Sequence, residues 1–338
     1  MRTEVYRKFI DHPSAWTNKS VGGKEGLTHH LTERHLDAID DVLKRTRHKK
    51  PQQVTKAEFD HPDLTPMIMK LRHEILEGTG AIIVKGVTRD RYSEDDFERI
   101  YWGFGLHWGN AVVQSALGDR LGHVRYVPDQ KVVRAYRNNN EGGLHTDVQE
   151  IVGMMSVQKA AVGGASRLAS SIAIHNEIFL NRPELLEPLY RGFNRWVFEK
   201  TVATDYTVPI FSCIDGKITC SFFGIEQAAP ALGIPLPPDL DEAMAYFRDT
   251  SEREDIRVKF VLEPGEMMVV NNYTCLHGRN GFTNGPGQER HLLRLWLDLT
   301  DGRPVLPCYV DFAGEYSGGG KMKVPEGTEA AKAHAEAY

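Results

Sequence analysis

The run Arg290-His291-Leu292-Leu293-Arg294-Leu295-Trp296-Leu297-Asp298 constrains the fold more than any other part of the chain. Its apolar content reads as a strand, and side chains on a strand alternate between two faces. Leu293, Leu295 and Leu297 share one face and are expected in a core. Arg290, Leu292, Arg294, Trp296 and Asp298 share the other. In a sheet covered on both sides, Arg294 stands in the interior. Arginine is rarely buried without an anion beside it. That anion is either a protein carboxylate or a ligand carboxylate, which the planar guanidinium grips with two parallel hydrogen bonds.

Periodicity elsewhere predicts helices first and strands later. Leu36, Ile39 and Leu43 recur at helical spacing after a cap at Thr32. Thr65-Pro66 opens a second helix carrying Met69, Leu71 and Ile75, closed by Gly78. Ala81 to Val84 reads as a buried strand, and Ser93 with Asp96 as the capping box of a third helix. Beyond about residue 120 strands dominate. Ile214-Asp215-Gly216-Lys217 marks a hairpin with a type I′ turn, Val258, Phe260 and Leu262 alternate, and Glu266 to Asn271 frames another strand. Ser170 to Tyr190 reads as helix interrupted by Pro183 and Pro188. These signals predict an α+β chain and a single domain over 1–338. Its mostly helical N-terminal part covers about 1–110, its strand core about 80–305, and a peripheral tail about 306–338.

Composition excludes several functions. Of 338 residues, 41% are apolar and 26% charged, the balance of an ordinary globular protein. A net charge of −5 without a clustered Lys/Arg run argues against nucleic acid. There is no apolar run of the ~18 residues that span a bilayer, and the charged start Met1-Arg2-Thr3-Glu4 is unlike a signal peptide. Cys213, Cys220, Cys275 and Cys308 lack the spacing of a thiolate metal cage, and a chain this long needs no disulfides. A cytoplasmic, reduced protein acting on a small molecule is the expectation.

His145-Thr146-Asp147 is the candidate for chemistry. On a strand, residues i and i+2 point the same way, so His-x-Asp can offer two ligands to one ion. The pattern recurs by chance, so its setting decides. His35-Leu36-Asp37 and His175-Asn176-Glu177 fall on expected helices, where i and i+2 diverge. His61-Pro62-Asp63 lies in a turn. Only His145 follows a turn-rich stretch, Asn138 to Gly143, and enters an expected strand over Val148 to Val157. A third ligand is offered by His277, which follows Pro264-Gly265-Glu266 and a buried strand and is expected at the rim of a core. Two imidazoles and a carboxylate on one face of an ion form the 2-His-1-carboxylate triad of non-haem iron oxygenases.

Taken in order, His145-Thr146-Asp147, Gly163-Gly164-Ala165-Ser166, Pro264-Gly265-Glu266, His277-Gly278-Arg279 and Arg290 to Asp298 resemble the taurine dioxygenase/TfdA-type family of Fe(II)/2-oxoglutarate-dependent oxygenases. The likeness covers about residues 80 to 305 and implies a double-stranded β-helix (jelly roll) with flanking helices. It further implies that His145, Asp147 and His277 hold Fe(II). Arg294 and Ser166 would bind the distal carboxylate of 2-oxoglutarate, while Arg290 matches a neighbouring arginine of variable role. O₂ and 2-oxoglutarate would be consumed to give succinate and CO₂. An unactivated C–H bond of a small polar substrate, such as an amino acid or other organic acid, would be hydroxylated, ring-closed or desaturated. Gln114 and Arg134 are candidates for contacting that substrate, with Arg137 nearby. Two further readings are a non-catalytic jelly-roll binding protein and a Zn²⁺ hydrolase using the same three ligands. The anion clamp counts against both.

Overall fold

The computed structural model describes residues 4–114, 118–126, 138–197 and 202–316. Thr32 caps helix α1 (Glu33–Thr46), whose Leu36, Ile39 and Leu43 are buried as their spacing requires. Helix α2 (Thr65–Glu77) starts at the expected Thr-Pro pair and ends at Gly78. Its inward face is Ile68, Leu71 and Ile75, whereas Met69 points outward, 41% exposed. In α3 (Glu94–Trp108) the Ser93 hydroxyl accepts from the Asp96 amide and the Asp96 carboxylate accepts from the Ser93 amide, both at 3.2 Å. Further along come α4 (Ser171–Asn181), α5 (Ile225–Leu232), α6 (Pro238–Glu252) and α7 (Pro307–Tyr316). Pro183 opens a 3₁₀ turn and Pro188 sits in the first turn of helix Leu186–Arg191, where a missing N–H costs least.

The two principal sheets are built from β1 (Thr28–His30), β2 (Ala81–Lys85), β3 (Asn110–Ala111), β4 (Leu121–Arg125), β5 (Gly142–His145), β6 (Ile151–Gln158), β7 (Ser166–Ser170), β8 (Val258–Phe260), β9 (Met267–Asn271), β10 (Cys275–Arg279) and β11 (His291–Asp298). The larger runs β1-β2-β9-β6-β11-β3, with β4 also paired to β11. The smaller runs β8-β7-β10-β5. The expected hairpin forms between Phe211–Ile214 and Lys217–Cys220, with positive φ at Asp215 (52°) and Gly216 (76°), as a type I′ turn needs.

Period-two alternation assigns each sheet face its neighbour. Leu293, Leu295 and Leu297 of β11 pack with Ile39, Phe97 and Phe104 beneath the N-terminal helices. On the outer face of the smaller sheet, Ala169 and Leu276 pack with Ile174 and Phe247 of the later helices. Val152, Leu168, Val270 and Trp296 belong to the layer between the sheets. The architecture is the expected jelly roll with helices on its flanks. Two boundaries differ from the sequence reading. Strand β1 pairs in parallel with β2, drawing residues near 30 into the core sheet. The tail expected to be peripheral begins with α7, whose Tyr309 and Phe312 are buried together with Leu306, because these residues close one end of the inter-sheet core.

His175 on α4 is fully buried, its Nε2 3.0 Å from the Tyr190 hydroxyl, and burial pushes its pKa down to about 4. The unfolded chain therefore binds more protons than the folded one between about pH 6.5 and 4. The neutral-histidine stability is complete above 6.5 and is lost as pH falls, by up to about 3 kcal/mol. Thermal melts from pH 7 to 4.5 should show this slope, and His175→Phe should flatten it. An equal slope in the variant would rule the assignment out.

Candidate metal centre

Strand β5 ends at His145, and the two residues that follow are positioned by side chains rather than by a ladder. The expected strand over Val148 to Val157 begins only at Ile151, so Asp147 stands in the connection. Two neighbours hold it there. Thr146 Oγ1 accepts from the Phe222 amide at 2.8 Å, and the Thr146 amide donates to the Phe222 carbonyl at 3.2 Å. Asn272, just past β9 and wholly buried, accepts from the Asp147 amide at 2.9 Å through Oδ1. It also donates Nδ2 to the Asp147 carbonyl at 2.6 Å. Asn272 thus replaces a strand partner. In the sequence Asn272 is only the residue after the strand expected over Glu266 to Asn271. Asn272→Ala loses both bonds and strands a buried amide, which costs about 1–3 kcal/mol. Fe(II) titration should show roughly tenfold or greater weakening, and an affinity equal to wild type would deny Asn272 this role.

His277 lies in the middle of β10, not at a rim. It is directly opposite His145 of β5 on one side and Leu168 of β7 on the other. The two imidazole rings stand 4.6 Å apart between centroids. His145 Nε2 is 3.7 Å from Asp147 Oδ1, and His277 Nε2 is 3.6 Å from Asp147 Oδ2. One ligand atom from each of the three lies within 4.8 Å of the other two. Bonds near 2.1 Å set neighbouring ligand atoms roughly 3 Å apart, so the two histidine–carboxylate gaps of 3.7 and 3.6 Å would close by less than about 1 Å each around an ion. His145 Nδ1 lies 2.8 Å from the Gly143 carbonyl and donates to it, which turns the Nε2 lone pair toward the centre. Burial raises the Asp147 carboxyl, but the hydrogen bonds from His145 and His277 outweigh it and hold the group well below its usual range. Burial pushes His277 down, favouring the neutral imidazole that a metal requires. His145 is raised, because its bond to Asp147 overcomes burial. A neutral imidazole, an ionised carboxylate and a second imidazole oriented by a carbonyl suit a divalent iron.

The rejected pairs are used elsewhere. Asp37 meets Arg91 at 2.9 Å, Asp63 pairs with Arg34, and Glu177 meets Arg253 at 2.6 Å.

A cavity of about 390 Å³ opens from the triad between the two sheets. From the larger sheet come Val124, Met154, Met268, Leu292, Arg294 and Trp296. The smaller sheet contributes Gly142, Ser166, Gly278 and Arg279 beside the histidines, and Trp196, Phe223 and Gln227 border another side. Arg290, Leu292, Arg294 and Trp296 all face it, as alternation along β11 requires.

The arginines differ in their surroundings. Arg294 is 5% exposed, donates Nε to Gln114 Oε1 at 2.6 Å, and lies with Cζ 4.5 Å from the Trp296 ring centre. Trp296 in turn donates Nε1 to Asp147 Oδ2 at 2.8 Å, so Arg294 belongs to the metal end. Arg290 lies at the other end, its Cζ 5.1 Å from the Phe282 ring centre on which Arg279 also stacks at 4.9 Å. Among the described residues its guanidinium has no hydrogen bond or ion pair, and burial, helped by the charge of Arg279, pushes it down to about 9. The Gly163-Gly164 turn before Ser166 brings the chain against Arg290. Both glycines have φ near +75°, and a methyl at Gly164 would stand 3.5 Å from Arg290 Nε. Ser166, two residues further on, lines the same cavity as Arg290.

Gln114 is not where the sequence reading put it. It is 1% exposed and sits behind Arg294, its Nε2 donating to the carbonyls of Arg120 (2.8 Å) and Arg294 (2.9 Å). Both amide atoms are spent on the protein, so it is not a substrate contact. Arg134 and Arg137 lie outside the described residues.

A jelly roll closed over a two-histidine, one-carboxylate cluster, with a cavity walled by arginines, defines an Fe(II)/2-oxoglutarate-dependent oxygenase. Comparison with known proteins narrows the class. The chain belongs to the taurine catabolism dioxygenase TauD, TfdA family, whose model matches residues 45–296. It is 25% identical over 319 residues to FR-33289 synthase of Streptomyces rubellomurinus, covering 89% of this chain and 93% of that one. It is 27% identical over 314 residues to the taurine hydroxylase-like protein SAT17 of Stachybotrys chartarum, covering 85% and 79%. Among solved structures, asparagine oxygenase in complex with Fe(II), 2S,3S-3-hydroxyasparagine and succinate superposes with a TM-score of 0.65. That likeness covers 80% of this chain and 93% of the other at 14% identity, which speaks to the fold. Among the described residues no helix is long and apolar enough to cross a membrane.

Proposed function

We propose that this oxygenase oxidises an unactivated C–H bond of a small polar organic acid, amino acids included, by hydroxylation, ring closure or desaturation. His145, Asp147 and His277 are its iron ligands. One observation carries the reading: the three ligand atoms converge at the head of a cavity whose far end holds a buried arginine without an anion among the described residues. Iron bound there would supply the O₂ chemistry, with 2-oxoglutarate consumed to succinate and CO₂.

The chain's own part is to bind, orient and exclude water. The Arg290 guanidinium and the Ser166 hydroxyl take the distal carboxylate of 2-oxoglutarate. This reverses the assignment implied by family resemblance, which gave that carboxylate to Arg294, and it is supported by the turn that sets Gly164 beside Arg290 and by Ser166 and Arg290 lining one cavity. Arg294, at the metal end, serves the anionic group nearest the ion. Met154, Met268 and Leu292 line the walls with apolar surface that keeps water from the reacting carbon. Phe223, its ring 6.1 Å from that of His145, borders the side left for substrate together with Trp196 and Gln227.

The test is spectroscopic. Anaerobic protein with Fe(II) and 2-oxoglutarate should develop a visible charge-transfer band, which shifts when a substrate acid is added. A protein that binds Zn²⁺ but shows no band with Fe(II) and 2-oxoglutarate would be a hydrolase or a binding module instead.

A further inference from the structure

Trp296 stands between the metal ligand and the arginine next to it. Its indole N–H donates to Asp147 Oδ2 at 2.8 Å, the oxygen on the His277 side, while Oδ1, on the His145 side, takes no bond from the indole. A carboxylate with both oxygens free can swing or ligate through both, whereas one oxygen tied to a rigid donor restricts ligation to the other. The indole is itself fixed. It is 1% exposed, and the Arg294 guanidinium lies over its face at 4.5 Å. Arg294 is held by Gln114 at 2.6 Å, and the amide has room only because β4 carries Gly122 directly opposite Arg294. A methyl at Gly122 would come within 2.8 Å of Gln114 Oε1. Three buried groups, Gln114, Arg294 and Trp296, thus form one continuous line that ends at the half-buried Asp147. A cation over the indole face also draws electron density from the ring and strengthens its N–H as a donor.

We propose that Trp296 is a positioning residue for the metal: its N–H holds Asp147 to one-oxygen ligation, and Arg294, set by Gln114, holds the indole in place. The proposal rests on His145, Asp147 and His277 being the ligands. Trp296→Phe keeps a ring under Arg294 and removes the donor. Anaerobic titration of the apo-protein should show Fe(II) affinity falling about 10- to 100-fold, with the melting temperature of the apo form little changed. Trp296→His returns an N–H on a smaller ring and should recover part of the affinity. Affinity within about twofold of wild type in Trp296→Phe, or equal weakening in the Phe and His variants, would overturn the proposal. If neither variant folds, the indole ¹⁵N–H signal of Trp296 in the wild-type protein decides. It should move on Zn²⁺ addition, and a stationary signal refutes the link. Failure of the wild-type protein to bind Fe(II) would remove the ligand reading itself, a result distinct from either.

Discussion

Asp147→Ala should abolish both Fe(II) binding and succinate formation, a loss above the roughly 100-fold that changes in supporting residues produce. His145→Ala and His277→Ala should do the same. The effect is large because each variant removes a donor that nothing nearby replaces. Among the described residues, no other group of three histidine, cysteine or acidic side chains comes together closely enough to hold a metal. The Asp147 carboxylate is also what keeps His145 raised, so its loss leaves two neutral imidazoles facing each other with no negative charge for a divalent ion. His35→Ala and His61→Ala serve as controls and should retain wild-type activity. His35 lies on α1 and His61 in the turn before α2, and neither belongs to the metal-binding cluster. Isothermal titration with Fe(II) under anaerobic conditions, alongside a succinate assay, reads both effects. Loss of iron binding in His61→Ala, with the fold intact, would mean that a different His-x-Asp pair is the ligand.

Arg290→Lys should weaken 2-oxoglutarate by about one to two orders of magnitude per hydrogen bond lost. Charge-assisted bonds contribute roughly 1.5–3 kcal/mol each, and about 1.4 kcal/mol is a factor of ten. Lysine keeps the charge but lacks the planar fork that meets a carboxylate with two parallel bonds. Iron binding should persist, since Arg290 touches none of the three ligands. Ser166→Ala should add a smaller loss on the same carboxylate. A 2-oxo acid without the distal carboxylate should bind wild type poorly and lose little more in Arg290→Lys. Arg294→Lys supplies the contrast. It breaks the bond to Gln114 and the stacking on Trp296, so its main effect should fall on stability and on the metal end. If Arg294→Lys loses 2-oxoglutarate affinity while Arg290→Lys does not, the two arginines exchange roles and the assignment implied by family resemblance is the correct one.

Local signals located most of the elements because they are local in cause. The Ser93–Asp96 box, the Asp215-Gly216 turn and the alternation of β11 depend on residues within a few positions of one another. Alternation alone said that Arg290, Leu292, Arg294 and Trp296 share a face, and that face is the cavity wall. The same logic discarded His35 and His175, since a helix cannot aim i and i+2 at one ion. Met69 was misplaced because one helical turn offers two neighbouring apolar positions, and only packing against α3 and the sheet chooses Ile68.

The residues that one strand or one turn can bring together were therefore legible in the sequence: a His-x-Asp pair, a buried strand carrying two arginines on one face, and the Asp215-Gly216 hairpin turn. What decided their use was pairing between distant segments. Asp147 is held by Asn272, 125 positions away, and Gln114 meets Arg294 across 180. His277 is buried mid-strand because β10 runs between β5 and β7, a register no local pattern encodes. The Gly163-Gly164 turn brings Gly164 against Arg290, while Arg294 is taken up by an amide and an indole. Side-chain chemistry and spacing selected the candidates. Only the contacts made when the two sheets close set the neighbours of each arginine.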